Sequence, residues 1–220
     1  LMVHDYFMTV PDEAFVSGKL DAIDRVLEWF AGRTDPDSGL YRADQWWNFV
    51  DWSWPWDSDA LIGGVPRLDA DGVSSIINLQ WALALRSAAE MNRHFGGIDR
   101  AAAYERKAAE ILRDVYERCW NEERQLFANS GDHVEFSQHA NAMWALAARD
   151  GEFPADRRDL VERILFDRTL IPCSTYFRFY LHEAMRVVGL GDRYLDMMGP
   201  WEAMIADGLT TFAESPHDPR

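Results

Sequence analysis

The side chains with the most distinctive chemistry lie in the segment 45–57, which combines five tryptophans with the carboxylates Asp51 and Asp57. Pro55 removes a backbone donor from its middle and argues against a central strand, so we predict an irregular loop. Indole faces stack on the C–H faces of sugar rings, and carboxylates accept hydrogen bonds from sugar hydroxyls. The segment therefore indicates a carbohydrate site, although any single tryptophan could instead close a hydrophobic core. The tryptophans are Trp46, Trp47, Trp52, Trp54 and Trp56.

The composition is that of one globular domain spanning residues 1–220, with 48% apolar and 13% aromatic residues. The net charge of −15 would repel nucleic acid and anionic membranes, so we expect neither as a partner. A neutral or cationic ligand fits this charge better. The chain begins at Leu1 without an initiator, and we expect it to be a piece of a longer protein. No signal peptide is visible, which slightly favours the cytoplasm but leaves localisation open, and the oligomeric state is not predicted.

The sequence predicts neither a metal nor a cofactor. Cys119 and Cys173 form no metal-binding or disulfide pattern, although a single bridge between them stays open. The glycine pairs 63–64 and 96–97 lack the Lys-Ser/Thr of a phosphate-binding loop. Ser174 lies in no Gly-x-Ser-x-Gly nucleophile elbow. Nucleotide-dependent and serine-hydrolase chemistry are therefore not expected.

Apolar residues recur at helical spacing along nearly the whole chain, with almost no alternation typical of strands. The stretch from Asp71 to Phe95 is apolar on more than one side, as an inner helix would be. We expect Asp99 to cap the next, amphipathic helix, and Ser174 or Thr175 to cap a later one. Apolar helices alternate with charged ones, as in helical hairpins that close into a toroid.

The predicted fold is all-α. About eight helices fit the chain, fewer than the dozen of a complete (α/α)6 toroid, so we expect an incomplete portion of such a barrel. A last helical stretch from Tyr194 to Ile205 is expected to kink at Gly199-Pro200.

Several ordered segments together resemble the catalytic domain of bacterial α-L-rhamnosidases, which are inverting glycoside hydrolases built on an (α/α)6 barrel. No single segment is specific, but the set follows the family's order over nearly the whole chain. The segments are 24–30, 35–40, Asn48-Phe49-Val50-Asp51-Trp52, Gln138-His139-Ala140-Asn141-Ala142, 174–180 and Gly208-Leu209-Thr210-Thr211-Phe212-Ala213-Glu214.

The resemblance implies roles for particular residues. Glu214, in a Thr-Thr-x-x-Glu context, would be the general base that activates water in the inverting hydrolysis of terminal α-L-rhamnosides or a related sugar. Asp51 and Trp52 match an Asp-Trp pair that binds sugar hydroxyls and lines the pocket. Tyr176 and Phe177 would form the opposite wall. The other loop residues, Trp46, Trp47, Trp54, Trp56 and Asp57, are placed at the pocket by composition alone.

Two departures from the family pattern bear on this hypothesis. The family's general acid lies in an acidic segment upstream of the first matching region, and nothing near the start of this sequence reproduces it. Residues 4–8 resemble the helix that follows that acid, so the acid would precede Leu1 and this chain alone would be nearly inactive. Family members also usually carry a tryptophan directly before the base, where this chain has Ala213.

Two alternative functions stay open, and so do alternative roles for single residues. The chain could be a non-catalytic helical domain that binds carbohydrate or protein through the loop 45–57, which would not need Glu214. It could also be a six-hairpin glycosidase acting on another sugar, such as a trehalase-like, mannosidase-like or fucosidase-like enzyme. At single positions, Glu214 could be structural, His139 a satisfied core residue, and His217 either a pocket wall or a mobile terminal residue.

Overall fold

The computed structural model describes residues 1–42, 47–56, 63–68 and 70–213. The described part is mainly helical, as predicted, with one short antiparallel pairing of two strands in which Trp120 lies opposite Phe127. The elements are α1 (Met2–Thr9), α2 (Glu13–Ser17), α3 (Leu20–Ala31), α4 (Ser75–His94), α5 (Ile98–Cys119), β1 (Trp120–Asn121), β2 (Leu126–Phe127), α6 (Gln138–Ala147), α7 (Arg157–Phe166), α8 (Arg178–Val187) and α9 (Gly199–Ala206).

Three inner helices, α4, α6 and α8, lie side by side, with α6 in the middle. Every residue of α6 except Leu146 is buried, and the alanines at 140, 142, 145 and 147 let its neighbours approach closely. The predicted inner helix between Asp71 and Phe95 is confirmed as α4. The central row is thus built around α6, in which nine of ten residues are buried.

Amphipathic helices cover this row from outside. Helix α5 packs on α4, and α7 packs on α6 and α8. Helix α5 buries a stripe that includes Ala108, Ile111 and Val115, while its opposite face carries charges. The alternation of inner and outer helices, read from the sequence as hairpins, is therefore present in the described chain.

The start of α6 is built from a serine and an asparagine four residues apart. Ser137 Oγ accepts a hydrogen bond from Ala140 N at 3.3 Å, which caps the helix. Asn141 Nδ2 donates to Ser137 O at 2.8 Å and to Phe127 O at 3.1 Å. Its Oδ1 accepts from Phe127 N at 2.8 Å. One amide side chain therefore joins the helix start to strand β2.

The start of α4 repeats this arrangement with the same residue types. Ser74 Oγ accepts from Ile77 N at 3.3 Å. Asn78 exchanges two hydrogen bonds with the backbone of Tyr41, at 2.8 Å and 3.0 Å, and donates a third to Ser74 O. The Ser-x-x-x-Asn spacing is thus a structural repeat that fixes the extended segments before the inner helices to one end of the helical row.

Three local predictions are wrong. Helix α8 begins at Arg178 after Phe177 with no side-chain cap, so neither Ser174 nor Thr175 caps it. Helix α5 begins at Ile98 after Gly97, with no side-chain cap, and Asp99 lies in its first turn, where a carboxylate favours the helix dipole. The stretch from Tyr194 to Ile205 is not one kinked helix. A 3₁₀ helix, Gly191–Met197, precedes α9, which begins at Gly199 because proline suits the first helical turn.

We expect Asn141→Leu to lower the free energy of unfolding by about 3 kcal/mol, because it leaves the buried backbone N–H and C=O of Phe127 without their partner. Urea unfolding followed by circular dichroism measures this change. Asn92→Leu is the matched control, since in the described ranges the side-chain amide of buried Asn92 donates to Ala88 O of its own helix and to no other segment. Equal losses in the two variants would contradict the prediction.

Candidate functional site

Loops that precede the inner helices meet at one end of the row, and the described part of the Trp-rich segment, 47–56, lies against them. Ser53 Oγ donates to Pro172 O, before α8, at 2.8 Å. Trp56 Nε1 donates to Glu135 Oε2, before α6, at 3.0 Å. The segment itself is irregular, with a single 3₁₀ turn at Trp54–Trp56. The Trp-rich loop therefore lies at the amino-terminal ends of α6 and α8.

Asp51 is the most constrained residue of this loop, with no exposed side-chain surface. Its Oδ2 accepts hydrogen bonds from His139 Nε2 at 2.7 Å and from Ser174 N at 2.8 Å. Its Oδ1 accepts a further hydrogen bond from the Ser174 hydroxyl. Three donors compensate for the removal of this carboxylate from water. We call Asp51, His139 and Ser174 the Asp51 clasp.

His139 is fully buried, with its ring centroid 4.5 Å from each of the rings of Trp56 and Phe177. Burial lowers the pKa of His139, and the carboxylates of Asp51 and Glu135 oppose that shift. The imidazole is therefore neutral, and Nε2 carries the proton because its partner Asp51 only accepts. Within the described ranges, Nδ1 has no hydrogen-bond partner. The sequence interpretation of His139 as a core residue matches this burial.

The clasp is not a nucleophilic triad, although it contains Ser, His and Asp. In such a triad the imidazole bonds the serine hydroxyl. Here the hydroxyl of Ser174 bonds the carboxylate of Asp51, and His139 bonds that same carboxylate. The arrangement holds backbone segments together rather than activating a serine.

An aromatic cluster faces outward beside the clasp. Trp47, 58% exposed, packs on Phe49 at 5.0 Å and on Trp52 at 6.0 Å between ring centroids. Its Nε1 donates to Gly63 O at 3.0 Å. Gly64 lies under this cluster at a positive φ of 78°, and a Cβ there would come within 2.4 Å of the Phe49 ring. The indole of Trp47 is thus held by its nitrogen while much of its surface stays open to a ligand.

Trp56 has a different environment from Trp47. It is 5% exposed, its N–H is used by Glu135, and its ring packs on His139. For Trp56 and Asp51, direct contact with a sugar stays a prediction, and their described contacts are ones that anchor the loop.

Tyr176 lies at the amino-terminal end of α8 and is 55% exposed, whereas Phe177 beside it is buried. Thr175 Oγ1 donates to Ala213 O at 3.1 Å, and Ala213 N donates to Met204 Sδ at 3.4 Å. The residue before Glu214 therefore lies next to the clasp. Trp46, Asp57, Glu214, His217 and the side chain of Trp54 lie outside the described part of the structure.

Sequence reasoning missed Glu135. Its Oε2 accepts hydrogen bonds from Trp56 Nε1 at 3.0 Å, from Asn129 Nδ2 at 2.6 Å and from Arg67 N at 3.3 Å. The available signal was its position two residues before Ser137, which begins an inner helix. Glu135 therefore ties the Trp-rich loop to α6 as the clasp ties it to α8.

Other features of the described chain do not add to this site. A largely apolar groove of about 540 Å³ lies between α1, α3 and α4, away from the loop, with Ile23, Leu27 and Met91 in its lining. No three described His, Cys, Asp or Glu side chains are grouped as metal ligands would be. None of the helices in the described ranges has the length and apolarity to cross a bilayer.

The lowered pKa of His139 predicts a pH dependence of stability. Between that pKa and the ordinary value of 6.5, the unfolded chain binds a proton that the folded chain does not. The free energy of unfolding should therefore be constant above about pH 6.5 and fall below it, by at most about 1.4 kcal/mol per pH unit from one histidine.

Urea unfolding at intervals from pH 7.5 to 5 measures this slope. His139→Gln should reduce it, because glutamine does not titrate. His182→Gln is the comparison, since burial also lowers the pKa of His182. A His139→Gln slope equal to that of the unchanged chain would show that the buried imidazole is not its source.

No protein-family model matches the chain, and no curated protein matches its sequence. Among the solved structures that match its fold are two rhamnosidases. A rhamnosidase from Klebsiella oxytoca with rhamnose bound is 20% identical, with a TM-score of 0.77 over 99% of this chain and 39% of that protein. A GH78 family rhamnosidase of Bacillus sp. GL1 is 21% identical, with a TM-score of 0.78 over 96% of this chain and 22% of that protein.

The chain spans less than two fifths of the length of each of these enzymes. Over nearly all of its own length, however, it superposes on them, and the described helices follow the same course. The chain therefore has the helical fold of an α-L-rhamnosidase-like domain.

Proposed function

We propose that this chain supplies the general base and one sugar-binding wall of a glycoside hydrolase that cleaves terminal α-L-rhamnosides, or glycosides of a related deoxy sugar, with inversion. The observation that carries the proposal is the hydrogen bond from Thr175 to Ala213. It brings the segment that leads to Glu214 beside the Asp51 clasp and the aromatic cluster. The fold shared with a rhamnosidase that holds rhamnose adds the substrate class.

The proposed chemistry divides between two carboxyl groups. Glu214 removes a proton from a water molecule that attacks the anomeric carbon from the face opposite the leaving group. A general acid, which we place outside this sequence, protonates the leaving oxygen. In an inverting enzyme the two groups stand about 6.5 to 9.5 Å apart, which leaves room for that water.

The proposed wall consists of Trp47 and Trp52, with Tyr176 at the start of α8. The exposed rings of Trp47 and Tyr176 and the partly exposed ring of Trp52 suit a deoxy sugar, whose methyl group and C–H faces are apolar. Asp51 supports this wall from beneath through its bonds to His139 and Ser174. A direct bond from Asp51 to a sugar hydroxyl would require the residues that cover the carboxylate to move, because Asp51 has no exposed surface.

A second candidate function is carbohydrate binding without catalysis. The cluster of exposed Trp47 with partly exposed Phe49 and Trp52 favours it, because this surface does not include Glu214. In that case sugar affinity would be present and hydrolysis absent in the full-length protein.

We expect Glu214→Gln in the full-length protein to lower kcat for an aryl α-L-rhamnoside by about 100- to 10,000-fold, because a general base contributes that much. Rhamnose affinity, measured by tryptophan fluorescence, should change little. Glu202→Gln, an exposed glutamate on α9, is the matched control and should keep full activity. Undiminished hydrolysis by Glu214→Gln would remove the assignment of the base, and binding without any hydrolysis in the unchanged protein would favour the second candidate.

We expect Trp47→Ala to weaken rhamnose binding by about tenfold, because one stacking aromatic contributes about 1 kcal/mol or slightly more. Isothermal titration calorimetry measures the Kd. Trp29→Ala is the control, since Trp29 is a partly exposed tryptophan of α3 outside the loop. The same affinity in both variants would exclude Trp47 from the sugar-binding wall.

A further inference from the structure

The Asp51 clasp joins three separate parts of the chain. Asp51 belongs to the Trp-rich loop, His139 to the first turn of α6, and Ser174 to the turn before α8. In sequence, Asp51 is separated from its two partners by 88 and 123 residues. A buried carboxylate with partners this distant fixes the relative positions of all three segments.

His139 supplies the donor that α6 gives to this carboxylate. Without it, Ser174 alone among the described residues would donate to buried Asp51, and leaving part of a buried charge uncompensated is costly. The groups that face the imidazole are the rings of Trp56 and Phe177 and the carboxylates of Asp51 and Glu135. Cys173 borders the same carboxylate, and burial raises the pKa of its thiol, which keeps it neutral. Among the described residues, His139 is therefore the one residue of α6 that donates a hydrogen bond to Asp51.

The clasp extends toward the segment that leads to Glu214. Ser174 is held at both its N–H and its hydroxyl by Asp51. The next residue, Thr175, donates to Ala213 O at 3.1 Å. A shift of the Ser174 turn would therefore move the partner of Ala213.

The Trp-rich loop is also held by hydrogen bonds that do not involve His139. Trp47 bonds Gly63 O, Ser53 bonds Pro172 O, and Trp56 bonds Glu135. Loss of the imidazole bond should thus disturb the Ser174 side more than the sugar-binding wall. This difference predicts separate effects on turnover and on substrate binding.

We propose that His139 is a positioning residue, which through Asp51 and Ser174 sets the place of Thr175 and of its partner Ala213, the residue before the proposed base. The part of this inference that concerns turnover rests on the proposed hydrolase function. His139 has no exposed surface, so it acts through Asp51 and not by contact with a sugar.

The test compares two substitutions in the full-length protein. In His139→Leu, the donor to Asp51 is lost, and we expect kcat for an aryl α-L-rhamnoside to fall about 100-fold while KM stays within about threefold, because a misplacement of about 1 Å can cost that much. In His139→Gln, the side-chain amide replaces the Nε2 donor and should restore kcat to within about fivefold of the unchanged protein.

Asn141→Leu is the matched control, because Asn141 is a buried hydrogen-bonding residue of the same helix that does not touch Asp51. Below its unfolding temperature it should keep kcat within about threefold. If His139→Leu lost no more activity than Asn141→Leu, or if His139→Gln restored nothing, the positioning role would be overturned.

Thr175→Val covers the case in which His139→Leu does not fold, since it removes the bond to Ala213 and leaves the clasp intact. We expect it to lower kcat about tenfold with little change in KM. In a folded double variant, the losses from His139→Leu and Thr175→Val should not multiply, because both act on the same contact. An unchanged kcat in Thr175→Val, or multiplied losses in the double variant, would overturn the inference.

Amide hydrogen exchange separates this inference from the proposed hydrolase function. Ser174 N should lose more protection in His139→Leu than the loss of global stability accounts for, and no more than that in Asn141→Leu, whether or not the protein hydrolyses a rhamnoside. If the unchanged protein neither bound nor cleaved rhamnosides, the proposed function would fail while exchange at Ser174 still decided the role of His139. Full protection of Ser174 in a folded His139→Leu variant would overturn that role.

Discussion

The candidate site depends on the burial of the Asp51 carboxylate. A charge removed from water is tolerated only where donors surround it, and this one receives three from two residues. Each donor must stand within hydrogen-bonding distance, so the carboxylate dictates how close the Trp-rich loop, α6 and α8 come to one another. The outward face of the loop, with Trp47 and Trp52, is a consequence of this inward attachment.

The helical repeat explains why these attachments occur at one end of the row. The Ser-x-x-x-Asn starts of α4 and α6 each bind an extended segment, and Ser174 begins the turn into α8. Loops that precede parallel inner helices must emerge at the same end. Residues far apart in sequence, such as Asp51 and His139, are thereby brought together without any local sequence signal of their contact.

This geometry separates what the sequence could predict from what it could not. The 3.6-residue period identified α4, and residue types alone singled out the Trp-rich loop. The burial of Asp51 and Trp56 was not predictable, because an irregular loop has no period that distinguishes its two sides. Their burial depends on His139 and Glu135, which become neighbours only in the folded chain. The prediction that Asp99 caps α5 failed for a similar reason. Gly97 occupies the cap position and makes no side-chain hydrogen bond, so no residue type marks the start of the helix.

Fold likeness at 20% identity is physically reasonable because small apolar residues, serine caps and buried amides can build this helical row in many sequences. Catalysis tolerates less variation than the fold does. The alanine at position 213, where rhamnosidases usually have tryptophan, is therefore the departure that matters most for the proposed function. The bond from Thr175 goes to the backbone carbonyl of Ala213, and any residue at this position offers the same carbonyl. Replacing tryptophan by alanine therefore leaves the attachment of the segment intact and changes the volume beside it. Under the proposed function, the departure at Ala213 would therefore bear on which sugar is bound more than on the attachment of the chain up to Ala213.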